Sequence, residues 1–108
     1  MPNELVPLSL ASATIALGID TDGWTLHKIG DDAEEPRDFT TRIPFEFPFG
    51  TTPVIHAGLT GFDLDQRDSA RLKLLVTHID PSGFDLTIRT WADTRVYSVE
   101  VSWMAIGF

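Results

Sequence analysis

The sequence predicts an all-β protein, a compact antiparallel β-sandwich of five to seven short strands. Three observations carry this. Every convincing periodic segment repeats at every second residue, the pattern of a strand with one buried face. Gly, Pro and Asp turn signals recur at intervals of about ten residues. No window holds helical spacing for longer than a turn or two.

Taken in chain order, residues 1–12 read as an extended N-terminal segment. The stretch "MPNELVPLSLASATIALG" has no basic n-region and carries Glu4 and two prolines, so it is not read as a signal peptide. Ile15, Leu17 and Ile19 alternate with small or polar residues, and "DTDGW" then supplies a turn. The acid-rich "HKIGDDAEEPRD" reads as a solvated loop. Pro44 and Pro48 confine "RIPFEFPFG" to an edge strand or an extended surface segment. "TPVIHAGLTGF" and "ARLKLLVTHI" are strands, "DPSG" is a turn into "FDLTIRTW", and "RVYSVEVSWMAIGF" is a long final strand.

The strand "ARLKLLVTHI" carries one further expectation. Leu72, Leu74 and Val76 fill one of its rows, and Leu75 and Ile79 make the second half of the other row apolar too. A small sandwich buries one face of each strand, so the second apolar face is expected to meet another subunit or a covering loop.

The totals narrow the function. A chain of 108 residues fits one domain, and 43% hydrophobic against 22% charged residues is a globular composition. The net charge of −8 argues against nucleic acid and against an anionic membrane surface, both of which need clustered Lys and Arg. No run approaches the roughly 18–20 apolar residues of a membrane span. The absence of cysteine removes disulfides, thiol chemistry and Cys-containing zinc sites.

Catalytic and metal chemistry find little support. Asp63, Asp65 and Asp68 suggest a calcium loop, but the fifth, sixth and twelfth positions hold Arg67, Asp68 and Leu74 where an EF-hand needs an oxygen ligand, Gly and Glu. His27, His56 and His78 form no metal-binding spacing, and Ser69, Ser82, Ser98 and Ser102 lack the context of an activated nucleophile. No cofactor is expected, and the chain is not read as an enzyme.

One residue breaks the pattern instructively. Asp85, Thr87 and Arg89 form the solvent-facing row of their strand, and Trp91 continues it. An aromatic on a polar row is either a patch for another chain or a platform for a ligand. Sugar rings pair an apolar C–H face with a fringe of hydroxyls, so a platform beside an arginine and a carboxylate suits a lectin site. Arg71 begins the neighbouring strand, and Asp38 or Asp93 could supply the carboxylate.

The pieces "GLTGFD" (Gly58–Asp63), "AR" (Ala70–Arg71), "SGF" (Ser82–Phe84), "TWADTRVYSV" (Thr90–Val99) and "SWMAIG" (Ser102–Gly107) resemble the H-type lectin domain, the module also found at the C-terminal end of discoidins. "GW" at Gly23–Trp24, "RD" at Arg37–Asp38 and Phe45…Phe49 extend the likeness. The resemblance implies that residues 13–108 form a six-stranded antiparallel β-sandwich that assembles as a homotrimer. It implies terminal N-acetylgalactosamine or galactose bound near subunit boundaries, without catalysis or a required metal. The family's sugar-binding aspartate falls on Asp38, its arginine on Arg71, its stacking tryptophan on Trp91 and its tyrosine on Tyr97. Some members have a sugar-packing histidine where this chain has Ala92.

Two positions have structural readings beside the functional one. Arg71 also suits an interface salt bridge. Tyr97 shares a row with Val99, Val101 and Trp103, and is a core or interface residue unless a bulge near Thr94 re-aims it. Trp24 and Trp103 are read as structural. The competing reading of the whole chain is a trimeric assembly module, a tip or adaptor without glycan binding.

Overall fold

The computed structural model describes residues 7–30 and 34–108. The first half of the expected segment 1–12, and Asp31 and Asp32 of the acidic loop, therefore lie outside the described residues. Six strands follow in order: β1 Ser9–Gly18, β2 Arg37–Pro44, β3 Val54–Asp65, β4 Lys73–Asp80, β5 Gly83–Thr90 and β6 Arg95–Gly107. They form two three-stranded sheets, β1-β6-β3 and β2-β5-β4, and every pairing is antiparallel. This is the expected six-stranded all-β sandwich. The proline-marked strand β2, which ends at Pro44, lies at a sheet edge, where a missing ladder donor is tolerated.

The two central strands carry the core because they alone have neighbours on both edges. Phe84, Leu86 and Ile88 of β5 are fully buried, and they face Val96, Val99, Val101, Trp103 and Ala105 of β6. Each buried Val, Leu, Ile or Phe among them contributes about 1.5–3 kcal/mol by leaving water. Trp24 seals the loop after β1: it is buried, tilts against Phe39 at 5.1 Å, and its indole N–H donates to the Val96 carbonyl at 2.9 Å. At the other end Phe45, Phe49, Phe84 and Trp103 form an aromatic cluster with centroids 5.0–6.0 Å apart.

The "DPSG" turn shows why local residues suffice to join β4 to β5. Asp80 Oδ1 accepts hydrogen bonds from the Ser82 amide, the Ser82 hydroxyl and the Gly83 amide, at 2.7, 2.6 and 3.0 Å. The Ser82 hydroxyl first, then the Ser82 amide and Arg42, hold the Asp80 carboxyl down to about 2. Gly83 is required by space, since a Cβ there would stand 2.4 Å from the Ile43 carbonyl oxygen.

Two bulges change which way side chains point. In β4 the ladder passes from Thr77↔Asp85 to Asp80↔Gly83, so His78 and Ile79 together oppose Phe84. His78 takes φ 50, and Ile79 turns inward to pack on the core. The second apolar face expected of this strand is thus reduced to Leu75, because strict alternation fails at His78. In β6 the ladder passes from Asp63↔Ser98 to Leu64↔Val96, which leaves Tyr97 as the extra residue. Val96 takes the buried row, while Tyr97 is only half-buried.

Candidate functional site

The site lies at the end of the sandwich where β5 finishes and β2, β4 and β6 begin. The outward row of sheet β2-β5-β4 at that end is Asp38, Arg89 and Lys73, which are direct cross-strand partners. Arg89 Nε donates to Asp38 Oδ1 at 2.7 Å and Arg89 Nη2 to Asp38 Oδ2 at 2.8 Å. This parallel fork fixes the carboxylate plane. It also lowers the Asp38 pKa, chiefly through the hydrogen bond, and raises that of Arg89. Each carboxylate oxygen keeps a second lone pair for another donor.

Trp91 follows Arg89 by two residues and Arg71 precedes Lys73 by two, so both stand just past the same end of the β4–β5 ladder. Two buried threonines fix this part of the backbone. The Thr90 hydroxyl donates to the Arg71 carbonyl at 2.5 Å, and the Arg71 amide donates to Thr94 Oγ1 at 3.2 Å. Thr94 Oγ1 in turn donates to the Ser69 carbonyl at 3.2 Å. The Arg71 guanidinium reaches that same carbonyl at 3.3 Å. Trp91 and Arg71 are both half-buried.

Between Trp91 and Thr94 the chain reverses through Ala92, which adopts φ 57. A left-handed alanine costs about 1–2 kcal/mol, so its surroundings must hold it there. Arg37 does this. Its Nη2 donates to the carbonyls of Ala92 and Thr94 at 3.2 and 2.6 Å, and its Nη1 reaches the carbonyls of Lys28 and Leu26. Burial, followed by the nearby Arg95 charge, lowers the Arg37 pKa. Arg37 is a strap across two loops, whereas the sequence pattern placed it only beside Asp38.

The structure therefore gathers Asp38, Arg71, Trp91 and Ala92 at one end of one sheet. It adds Arg89 and Lys73, which the sequence reading did not single out for the site. Tyr97 lies at the same end but on the other sheet, its ring 6.5 Å from the His27 imidazole. Asp93, the alternative carboxylate, turns away from this face. It lines a small cavity of about 210 Å³ with Arg67 and Arg95, and its Oδ1 is buried without a hydrogen-bond partner. A larger open cleft, about 750 Å³, lies at the opposite end of the molecule between Ser9–Ala13 and the segment around Phe47, with Trp103 among its walls. It contains none of the expected sugar-binding residues. Among the described residues no cluster of three or more His, Asp or Glu is placed to hold a metal ion.

The model of the H-type lectin domain matches residues 40–106, from within β2 to the end of β6. The chain belongs to that family. Arg71, Trp91, Ala92 and Tyr97 fall inside the matched segment, and Asp38 stands two residues before it.

The lectin domain's fold is shared with discoidin II of Dictyostelium discoideum. The wild-type discoidin II structure superimposes with a TM-score of 0.78 at 21% identity, over 94% of this chain and 37% of that one. A structure of the recombinant protein gives the same TM-score and identity over 100% of this chain and 40% of that one. The lectin domain thus corresponds to about two-fifths of discoidin II. It is also 36% identical over 72 residues to a protein of Fuscovulum blasticum described as "ATP synthase subunits region ORF 7". That alignment covers 67% of this chain and 63% of the relative, whose description names a gene region and no activity.

Proposed function

We propose that this H-type lectin domain binds glycans ending in N-acetylgalactosamine or galactose at the Trp91 end of sheet β2-β5-β4. The observation that carries the reading is the forked Asp38 carboxylate at the end of the sheet just past which Trp91 and Arg71 lie, within a chain of a lectin family. Trp91 stacks on the apolar face of the ring, Arg71 donates to a hydroxyl, and Asp38 accepts from hydroxyls through the lone pairs that Arg89 leaves free. Arg89 positions Asp38 and keeps it ionised. Ala92 leaves open the space that a histidine fills in some members. Tyr97 is read as closing the site from the other sheet. The reading involves binding alone, with no catalysis, metal or cofactor.

A shallow site of this kind gives a Kd of about 1 mM to about 0.1 mM, or about 4–5.5 kcal/mol. Assembly then decides function. A homotrimer that presents its sites together gains avidity on clustered glycans, which suits agglutination and cell adhesion. Support for assembly comes from the outer face of sheet β1-β6-β3, where Leu10, Ile106 and Val54 form one exposed cross-strand row. An apolar row of this kind is what contact between copies would cover.

A glycan array with sugar competition tests the binding. Retention on galactosyl glycans that free galactose displaces is the expected result; retention on no glycan would favour the assembly-module reading. Light scattering tests the trimer separately, and a monodisperse monomer would contradict the avidity argument.

A further inference from the structure

The outer face of sheet β2-β5-β4 is electrically lopsided. At its far end Arg42 is shared by two carboxylates, Asp80 at 2.7 Å and Asp85 at 3.2 Å, and His78 also reaches Asp85 at 3.2 Å. At the Trp91 end the ratio reverses. Asp38 is gripped by Arg89, Lys73 stands directly across the ladder from Arg89, and Arg71 lies two residues further along. Among the described residues Lys73 pairs with no carboxylate. Like charges placed opposite one another in an antiparallel pair are destabilising. The chain has 16 acids against 8 Lys and Arg, so acids to neutralise Lys73 are not in short supply. A face with three cations around one carboxylate, beside the aromatic platform, is arranged to receive an anion.

Resting on the proposed sugar site, we infer that its preferred ligand is an acidic galactose-type sugar, with a carboxylate or sulfate ester seated against Lys73 and Arg71. The ring stacks on Trp91 and its hydroxyls meet Asp38, while the anionic group occupies the open ground beside the ladder. Charge-assisted hydrogen bonds are about twice as strong as neutral ones, so the anionic group is a large part of the affinity of a small ligand. Long-range attraction does not explain such a preference, because the whole chain is negative. At physiological salt the Debye length is about 8 Å, and cations in the site itself decide the sign.

The test is calorimetric or NMR titration of the full chain with galactose, N-acetylgalactosamine, galacturonic acid and galactose 6-sulfate, in low and in high salt. The acidic sugars are expected to bind about tenfold more tightly than galactose at low salt, with the advantage shrinking as salt rises. Lys73→Gln should remove most of that advantage, whereas Arg42→Gln, the loss of one positive charge at the far end of the same face, should leave it. Galacturonate and the sulfate ester distinguish the two sources of the anion, and an advantage for either supports the inference. If neutral sugars bind and acidic ones bind no better, the inference fails and the lectin reading stands. If no sugar binds, the lectin reading falls and the inference with it. An advantage unaffected by Lys73→Gln, or equally reduced by Arg42→Gln, also overturns it.

Discussion

Arg89, on the central strand of its sheet, holds Asp38 of the edge strand by both carboxylate oxygens, at 2.7 and 2.8 Å. The pair converts a surface carboxylate into an acceptor of fixed orientation. Its cost or gain in stability is small, because both side chains are more than a third exposed.

The first prediction is the pH dependence of this pair. The folded pKa of Asp38 is lowered below its usual 3.8, first by the Arg89 hydrogen bond. Its contribution is therefore complete above the unfolded value and is lost as pH falls through the lower folded value. Sugar binding should be flat across the neutral and mildly acidic range and decline only as pH falls below the usual carboxylate value of 3.8. In Arg89→Gln the Asp38 carboxyl should titrate at higher pH by carbon-detected NMR. An unchanged titration would contradict the fork.

Asp80 provides an independent check at the other end of the sheet. Its carboxyl lies at about 2, with the Ser82 hydroxyl as first cause. Ser82→Ala should bring it back towards 3.8 while the Gly83 amide contact remains. The same NMR titration reads the shift. A value that stays near 2 would assign the effect to the Ser82 amide and Arg42 instead.

Ala92 is the backbone prediction. Glycine tolerates φ 57 freely but loses more freedom on folding, so Ala92→Gly should change stability by less than about 1 kcal/mol in either direction. Ala92→Val should lose about 2 kcal/mol or more, because a β-branched residue is far less tolerant of this region. Urea denaturation measures both. Equal stability of the valine variant would show that the turn can relax despite the Arg37 strap.

The tryptophans should separate by role. Trp24→Phe loses the indole bond to the Val96 carbonyl and should cost about 1–3 kcal/mol while sugar affinity is kept. Trp91→Ala should abolish measurable sugar binding and cost less stability than removal of a fully buried tryptophan. Paired melting curves and titrations check this, and the opposite pattern would exchange the two assignments.

Much of this architecture is legible in period-two alternation. The rows Phe84, Leu86, Ile88 and Val99, Val101, Trp103 are the observed core, and "DPSG" is the observed turn. The reading fails where one residue is inserted. Ile79 was placed on the second, outer row because nothing in "VTHID" marks His78 as left-handed, a conformation usually signalled by Gly or Asn. Tyr97 was ambiguous for the same reason, since a bulge shifts the parity of everything before it. Arg89 was visible as an outward residue, but its grip on Asp38 depends on a register between strands some fifty residues apart. The Arg37 strap leaves no sequence signature, because its partners are backbone carbonyls. The family motif did locate Arg71, Trp91 and Tyr97 within the segment that matches the lectin domain.

The most direct measurement of the central claim is an amide and indole NMR titration of the lectin domain with N-acetylgalactosamine and galactose, up to about 20 mM, well above the expected Kd. The account predicts saturable shifts of the Trp91 indole and of the amides of Arg71, Arg89 and Thr90–Thr94, with little change at Trp24. No shifts at that concentration, or shifts confined to Ser9–Ala13 and the Phe47 segment around the opposite cleft, would contradict it.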